Sequence, residues 1–234
     1  MVANELFILS GGAAAGVVRG VQEKFSAQHQ CVINATFSAV GVMRDKLLSG
    51  AACDLVILTK SLIHELIISG HVMANSLQSM GLVRTGIAVK SNTTPPAISN
   101  KNELYIALDQ ARSIYFPDPI KATAGKHIMN VFKTIGIDKS HTNRFRTYAN
   151  GALAMSAMAS SSEDDLIGCT QITEIMITTG TTYVGHLPPE FELITDYTLG
   201  ISTHAKNPTL AAAFAAILTG RASQVVRKSI GFEC

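Results

Sequence analysis

Short apolar runs, each followed by a cluster of small or polar residues and then by apolar positions at helical spacing, recur along this chain. The first, Leu6-Phe7-Ile8-Leu9, ends in Ser10-Gly11-Gly12 and leads into residues 13–25, which predicts strand, tight turn and helix. Residues 31–37 are rich in strand formers, Ser38-Ala39-Val40-Gly41 reads as a turn, and residues 42–48 have helical spacing. Leu55-Val56-Ile57-Leu58 is the next buried strand, with Thr59-Lys60-Ser61 as the cap of a helix over 62–69. Such alternation predicts an α/β fold with a parallel, doubly wound sheet, whose ligands bind beyond the carboxyl ends of the strands.

A second series starts with a strand over 86–89 and the solvated loop Ser91-Asn92-Thr93-Thr94-Pro95-Pro96, where the prolines stop regular structure. It continues with a helix over 101–111, a strand over 113–116, a loop over 117–124 and a helix over 125–135. A strand near Arg146, a helix over 151–159 and the apolar run 166–170 follow. Residues 191–202 alternate like a strand, and Asn207-Pro208 opens a helix over 209–218. Two lobes are expected: 1–84 with 196–234, and 85–195 as an insertion.

Composition narrows the possibilities. With 234 residues, 47% hydrophobic and 15% charged, the chain is neither disordered nor fibrous. A net charge of +2 and no basic run longer than a pair leave no footprint for nucleic acid. Cys31, Cys53, Cys169 and Cys234 are far apart and at no metal-ligand spacing, so they read as ordinary thiols, and neither metal nor cofactor is expected. The first residues carry no basic n-region, and the apolar stretch 210–218 is too short to span a bilayer. The chain as written therefore reads as cytoplasmic, or as periplasmic if a signal peptide has been removed.

Candidate chemistry lies in three turns between a strand and a helix: Ser10-Gly11-Gly12, Ser38-Ala39-Val40-Gly41 and Thr123-Ala124-Gly125. Small side chains let amides at a helix start approach a ligand, and the helix dipole favours an anion. The same residues also make ordinary turns and caps. No dinucleotide or nucleoside triphosphate motif is present, so the ligand should be smaller. Arg44 follows the second turn, while Lys121, Lys126 and His127 flank Thr123; each is either an oxyanion partner or a surface charge. Glu174 reads either as a carboxylate satisfying a helix dipole or as a group reaching a cleft between the lobes. Hydrolytic triads and zinc motifs do not occur.

At these loops the chain resembles the molybdate-binding-protein-like branch of the type II periplasmic solute-binding proteins. The landmarks include Leu9-Ser10-Gly11-Gly12-Ala13, Phe37-Ser38-Ala39-Val40-Gly41 with Arg44-Asp45-Lys46-Leu47, and Ala52-Cys53-Asp54-Leu55. Asp118-Pro119 ahead of Thr123-Ala124-Gly125, Gly168-Cys169-Thr170-Gln171 and Leu187-Pro188-Pro189-Glu190 continue the match. The resemblance implies two α/β lobes, each a doubly wound mixed sheet, joined by two crossing strands, with a small anion held between them and a transporter permease as partner if the chain is exported. Its anion contacts would fall on Ser10, the Ser38 to Gly41 loop, Ala124, Ala149 near Asn150, and Gln171. Ala39-Val40-Gly41 stands where molybdate binders usually offer a serine, and Gln171 stands where they usually have a tyrosine, so a carboxylate fits better than molybdate. The resemblance extends to aconitate isomerase-like proteins, which implies as an alternative a cofactor-independent isomerase of an unsaturated tricarboxylate. In that reading Arg44, Ser10, Thr123 and backbone amides would clamp the carboxylates, and Glu174 or His127 would serve as the base.

Overall fold

A computed structural model describes residues 4–234. The chain divides into two compact units, one running up to Val83 and resuming at Thr195–Cys234, the other Arg84–Ile194.

Unit 1 is built on strands β1 (Asn4–Gly11), β2 (Cys31–Ser38), β3 (Leu55–Thr59) and β9 (Ile194–Ile201), in the order β2-β1-β3-β9. The first three run parallel, and β9 lies antiparallel to β3. Every position of β3 is buried, as its Leu-Val-Ile-Leu run requires of a strand covered on both faces. Helices α1 (Ala15–His29), α2 (Val40–Leu48), α3 (Lys60–Ile68), α8 (Pro208–Thr219) and α9 (Gln224–Ser229) supply the cover. Phe25 of α1 meets Phe214 of α8 with ring centroids 4.7 Å apart, over a core that includes Leu6, Ile8, Leu55 and Ile57. Asp54, buried ahead of β3, accepts hydrogen bonds from the amides of Phe7 at 2.8 Å and Asn207 at 3.0 Å, tying β1 to the start of α8.

Unit 2 contains β4 (Gln78–Lys90, which enters it from unit 1), β5 (Ser113–Pro117), β6 (Phe145–Tyr148), β7 (Leu166–Gln171) and β8 (Thr181–His186), in the order β8-β4-β7-β5-β6. β7, β5 and β6 are parallel; β4 is antiparallel to both β7 and β8. Alternation along β5 divides the core. Ile114 and Phe116 pack with α4 (Lys101–Gln110) and α5 (Thr123–Ile135), whereas Tyr115 faces Met155 and Met158 of α6 (Gly151–Ser160). The short helix α7 (Ile172–Met176) follows β7 directly.

The two sheets are mixed, as the resemblance implied and unlike the parallel order suggested by strand–helix alternation alone: the strands that carry the chain from one unit to the other, β4 and β9, pair antiparallel to β7 and β3. Two expected turns are shorter than their small residues suggested. Ser38 still pairs in β2 and Val40 already belongs to α2, so Val40 and Gly41 are helical; likewise α5 begins at Thr123. Strand β8 was not anticipated, because its Thr-Thr-Tyr-Val-Gly-His sequence is half-buried and lacks apolar alternation. Among the described residues no single helix is long and apolar enough to cross a membrane.

Candidate anion-binding loops

In unit 1 the parallel strands bring their carboxyl ends to one edge. Gly11 is in register with Ser38, and Ser10 with both Phe37 and Ile57, which gathers Ser10, Gly11, Gly12, Ser38, Val40 and Gly41. Gly11 stands at the N-cap of the turn that opens into α1, and Ala39 at the N-cap of α2; neither start has a side-chain cap. Both residues are buried, and neither offers the first-turn amides the side-chain partner that a serine or asparagine would give. No side chain fits at Gly11: a Cβ there would lie 2.7 Å from Val40 Cγ1 and 3.2 Å from the ring of Tyr197. Ser10 is fully buried, and its hydroxyl donates to the Gly11 carbonyl at 2.9 Å. Arg44 falls on the second turn of α2, with its guanidinium bonded to Asp45 at 2.7 Å and facing Glu65 of α3 at 3.9 Å.

In unit 2 the carboxyl ends of β5 and β6 are adjacent, Pro117 pairing with Tyr148, and β7 ends at Gln171. Thr123, Ala124, Gly125, Ala149, Asn150 and Gln171 thus share one edge of the sheet. Helix α5 starts at buried Ala122 with no side-chain cap. Gly125 packs so closely against the carbonyls of Pro117 and Asp118 that no Cβ fits. His127, one turn on, places Nε2 2.7 Å from the carbonyl of Phe191, so this nitrogen carries the proton and only Nδ1 is left to accept one.

Helix α6 is finished differently. Asn150 Oδ1 accepts from the Leu153 amide at 2.9 Å, the side-chain cap that α5 lacks. Glu174, from the first turn of α7, places Oε1 3.1 Å from the Gly151 amide, while Oε2 accepts from Thr170 Oγ1 at 2.7 Å. The Ala152 amide lies close enough to favour its charged form. Burial pushes the Glu174 carboxyl upward from the ordinary glutamate range, and the donors Thr170, Ala152 and Gly151 oppose that rise. Glu174 therefore satisfies a helix dipole, but that of α6 and not of its own helix. Sequence reasoning missed Thr170, whose hydroxyl completes this arrangement. It also missed the buried hydroxyls of Thr85 and Thr173, which have no hydrogen-bond partner among the described residues. Spacing alone would not have found them, since Thr85 meets the end of β7 only through its pairing with Gln171.

Each unit is thus a mixed α/β sheet with bare, buried helix starts at the carboxyl ends of parallel strands, the architecture of type II periplasmic-binding-protein-like folds. The chain belongs to the family described as bacterial extracellular solute-binding protein, whose model matches residues 6–233. It is 24% identical over 224 residues to an aconitate isomerase of a Pseudomonas species, spanning 92% of this chain and 82% of that protein. The periplasmic molybdate-binding protein of Azotobacter vinelandii has a similar structure, with a TM-score of 0.80 at 15% identity, covering 98% of this chain and 99% of that one. A sulfate-binding protein of Mycobacterium tuberculosis is similar at a TM-score of 0.75 and 13% identity, covering 98% of this chain and 86% of that one.

Proposed function

We propose that the chain is a solute-binding protein for a small anion whose recognised charge is a carboxylate. The observation that carries this reading is the set of buried, uncapped helix starts at Gly11, Ala39 and Ala122, each at the carboxyl end of a strand. A bare start forgoes about 0.5–2 kcal/mol of capping stability. Binding of an anion to those amides offsets that loss. The candidate contacts are, within unit 1, Ser10, Gly12, Ser38, Val40 and Gly41 and, within unit 2, Thr123, Ala124 and Gly125. Family membership supports small-solute binding, and a membrane permease is the partner such a role implies.

Calorimetric titration with sulfate, molybdate, malate, citrate and trans-aconitate tests the reading. Heat with a carboxylate and none with the tetrahedral oxyanions is the expected result; no heat with any of them would remove it.

A second reading is isomerisation of an unsaturated tricarboxylate, favoured by likeness to an aconitate isomerase along most of both chains. Such a double-bond shift removes a proton from one carbon and returns one to another. His127, through Nδ1, is better placed than Glu174, whose two oxygens are both engaged. Incubation with cis- or trans-aconitate in deuterated water, followed by proton NMR, separates the readings: the other isomer, or deuterium in the substrate, marks the enzyme, and an unchanged spectrum leaves a binder.

A further inference from the structure

We propose that Glu174 is a resident carboxyl group seated on the start of α6, where a ligand oxyanion would otherwise sit, and that it restricts this edge of unit 2 to a single carboxylate-sized charge on α5. The inference rests on the anion-binding reading above. It starts from an accounting of donors. The Leu153 amide is taken by Asn150 and the Gly151 amide by Glu174, whose charged form the Ala152 amide also favours. The seat is a fitted one: Gly151 has no room for a Cβ, because the Thr170 hydroxyl and Glu174 Oε2 lie against its α-carbon. Glu174 is 4% exposed and reaches from another helix, 23 residues away in sequence, to make these bonds. Besides the five-residue α7, what remains at that edge is α5, with no side-chain cap at Ala122.

The consequence is selectivity. A planar carboxylate needs donors in one direction and can be met by a single helix start. A tetrahedral dianion carries acceptors on all sides, and any oxygen left without a donor in a buried site costs the full desolvation penalty. Of two neighbouring helix starts that together could surround such an ion, one is already filled from within.

The test removes the resident group and offers replacements. In Glu174→Ala, sodium formate should raise the melting temperature in a saturable way relative to sodium chloride at equal ionic strength, with no such rise in the wild type. Sulfate should bind Glu174→Ala at least tenfold more tightly than it binds the wild type. A melting temperature that formate moves no further in the variant than in the wild type overturns the inference, as does unchanged sulfate affinity. If the alanine variant does not accumulate folded, Glu174→Asp keeps the charge but draws it back by one methylene. Its Gly151 amide should exchange with deuterium at least tenfold faster than in the wild type, and unchanged exchange overturns the inference. A wild type that binds no small anion would sink the functional reading, yet the formate comparison would still decide this one.

Discussion

Helices α5 and α6 rise from neighbouring parallel strands of one sheet, yet their first turns are finished in opposite ways. α5 starts at buried Ala122 with no side-chain cap, and α6 starts at Asn150 with a cap and with the carboxyl group of Glu174 laid against its Gly151 amide. The strands before them end in register at Pro117 and Tyr148, so sheet geometry does not explain the difference. It lies in side-chain chemistry. A folded chain that seeks only stability caps both helices; one that needs a donor for an incoming anion leaves a start bare. Unit 1 repeats the bare form at Gly11 and Ala39. Missing caps are not confined to these starts, since α3, α7 and α8 also lack one; under the proposed function α6 is the internal control for α5.

The comparison can be broken most severely by crowding the closed or the open start. Gly125→Ala drives a methyl group into the carbonyls of Pro117 and Asp118, and Gly151→Ala drives one into Thr170 and Glu174. Each should cost roughly 3 kcal/mol in denaturant unfolding, at the upper end of overpacking effects. A loss below about 0.5 kcal/mol at either position would show that the close approach is not needed.

Next in size is the conversion of α5 to the α6 form. Ala122 has the extended backbone of an N-cap, with φ −97° and ψ 134°, so Ala122→Asp should cap α5. It should weaken carboxylate binding by about a hundredfold, or ~2.7 kcal/mol, while stability changes by less than about 1 kcal/mol. Calorimetry on the folded variant checks this, and undiminished affinity would place the anion elsewhere. The converse, Asn150→Ala, removes the α6 cap and should lower stability by about 1 kcal/mol in the same unfolding assay.

The smallest effect concerns pH. Burial raises the Glu174 carboxyl above its unfolded value, so the contribution of this group is fully present below the ordinary glutamate range and is lost as pH rises through the raised folded value. The denaturant midpoint of Glu174→Gln should therefore gain on that of the wild type as pH rises through that interval. A gap that stays constant, or closes, would mean that the donors outweigh burial.

How much of this the sequence discloses follows from the range of each interaction. Leu55-Val56-Ile57-Leu58 and Ser113-Ile114-Tyr115-Phe116 declare buried strands by composition; the α/β class follows from their alternation with helices, and the solute-binding family from the resemblance of the loop motifs. The small-residue loops at Ser10, Ser38 and Thr123 were visible for the same reason. What stayed hidden depends on partners far along the chain. Glu174 reads locally as a first-turn residue of α7, and only the folded sheet brings it to Gly151. Arg44 reads as either an oxyanion partner or a surface charge beside a turn, and only the fold brings Glu65 from α3 to join Asp45 around it. Gly125 as a turn residue was legible, whereas its role as a contact surface for two carbonyls was not.

The most direct measurement is an amide correlation spectrum of isotope-labelled protein during titration with trans-aconitate and, separately, with sulfate. The account predicts that trans-aconitate shifts the first-turn amides of α5 and leaves Gly151 and Leu153 unmoved, and that sulfate shifts neither set. Movement of the α6 amides with those of α5 silent would contradict it.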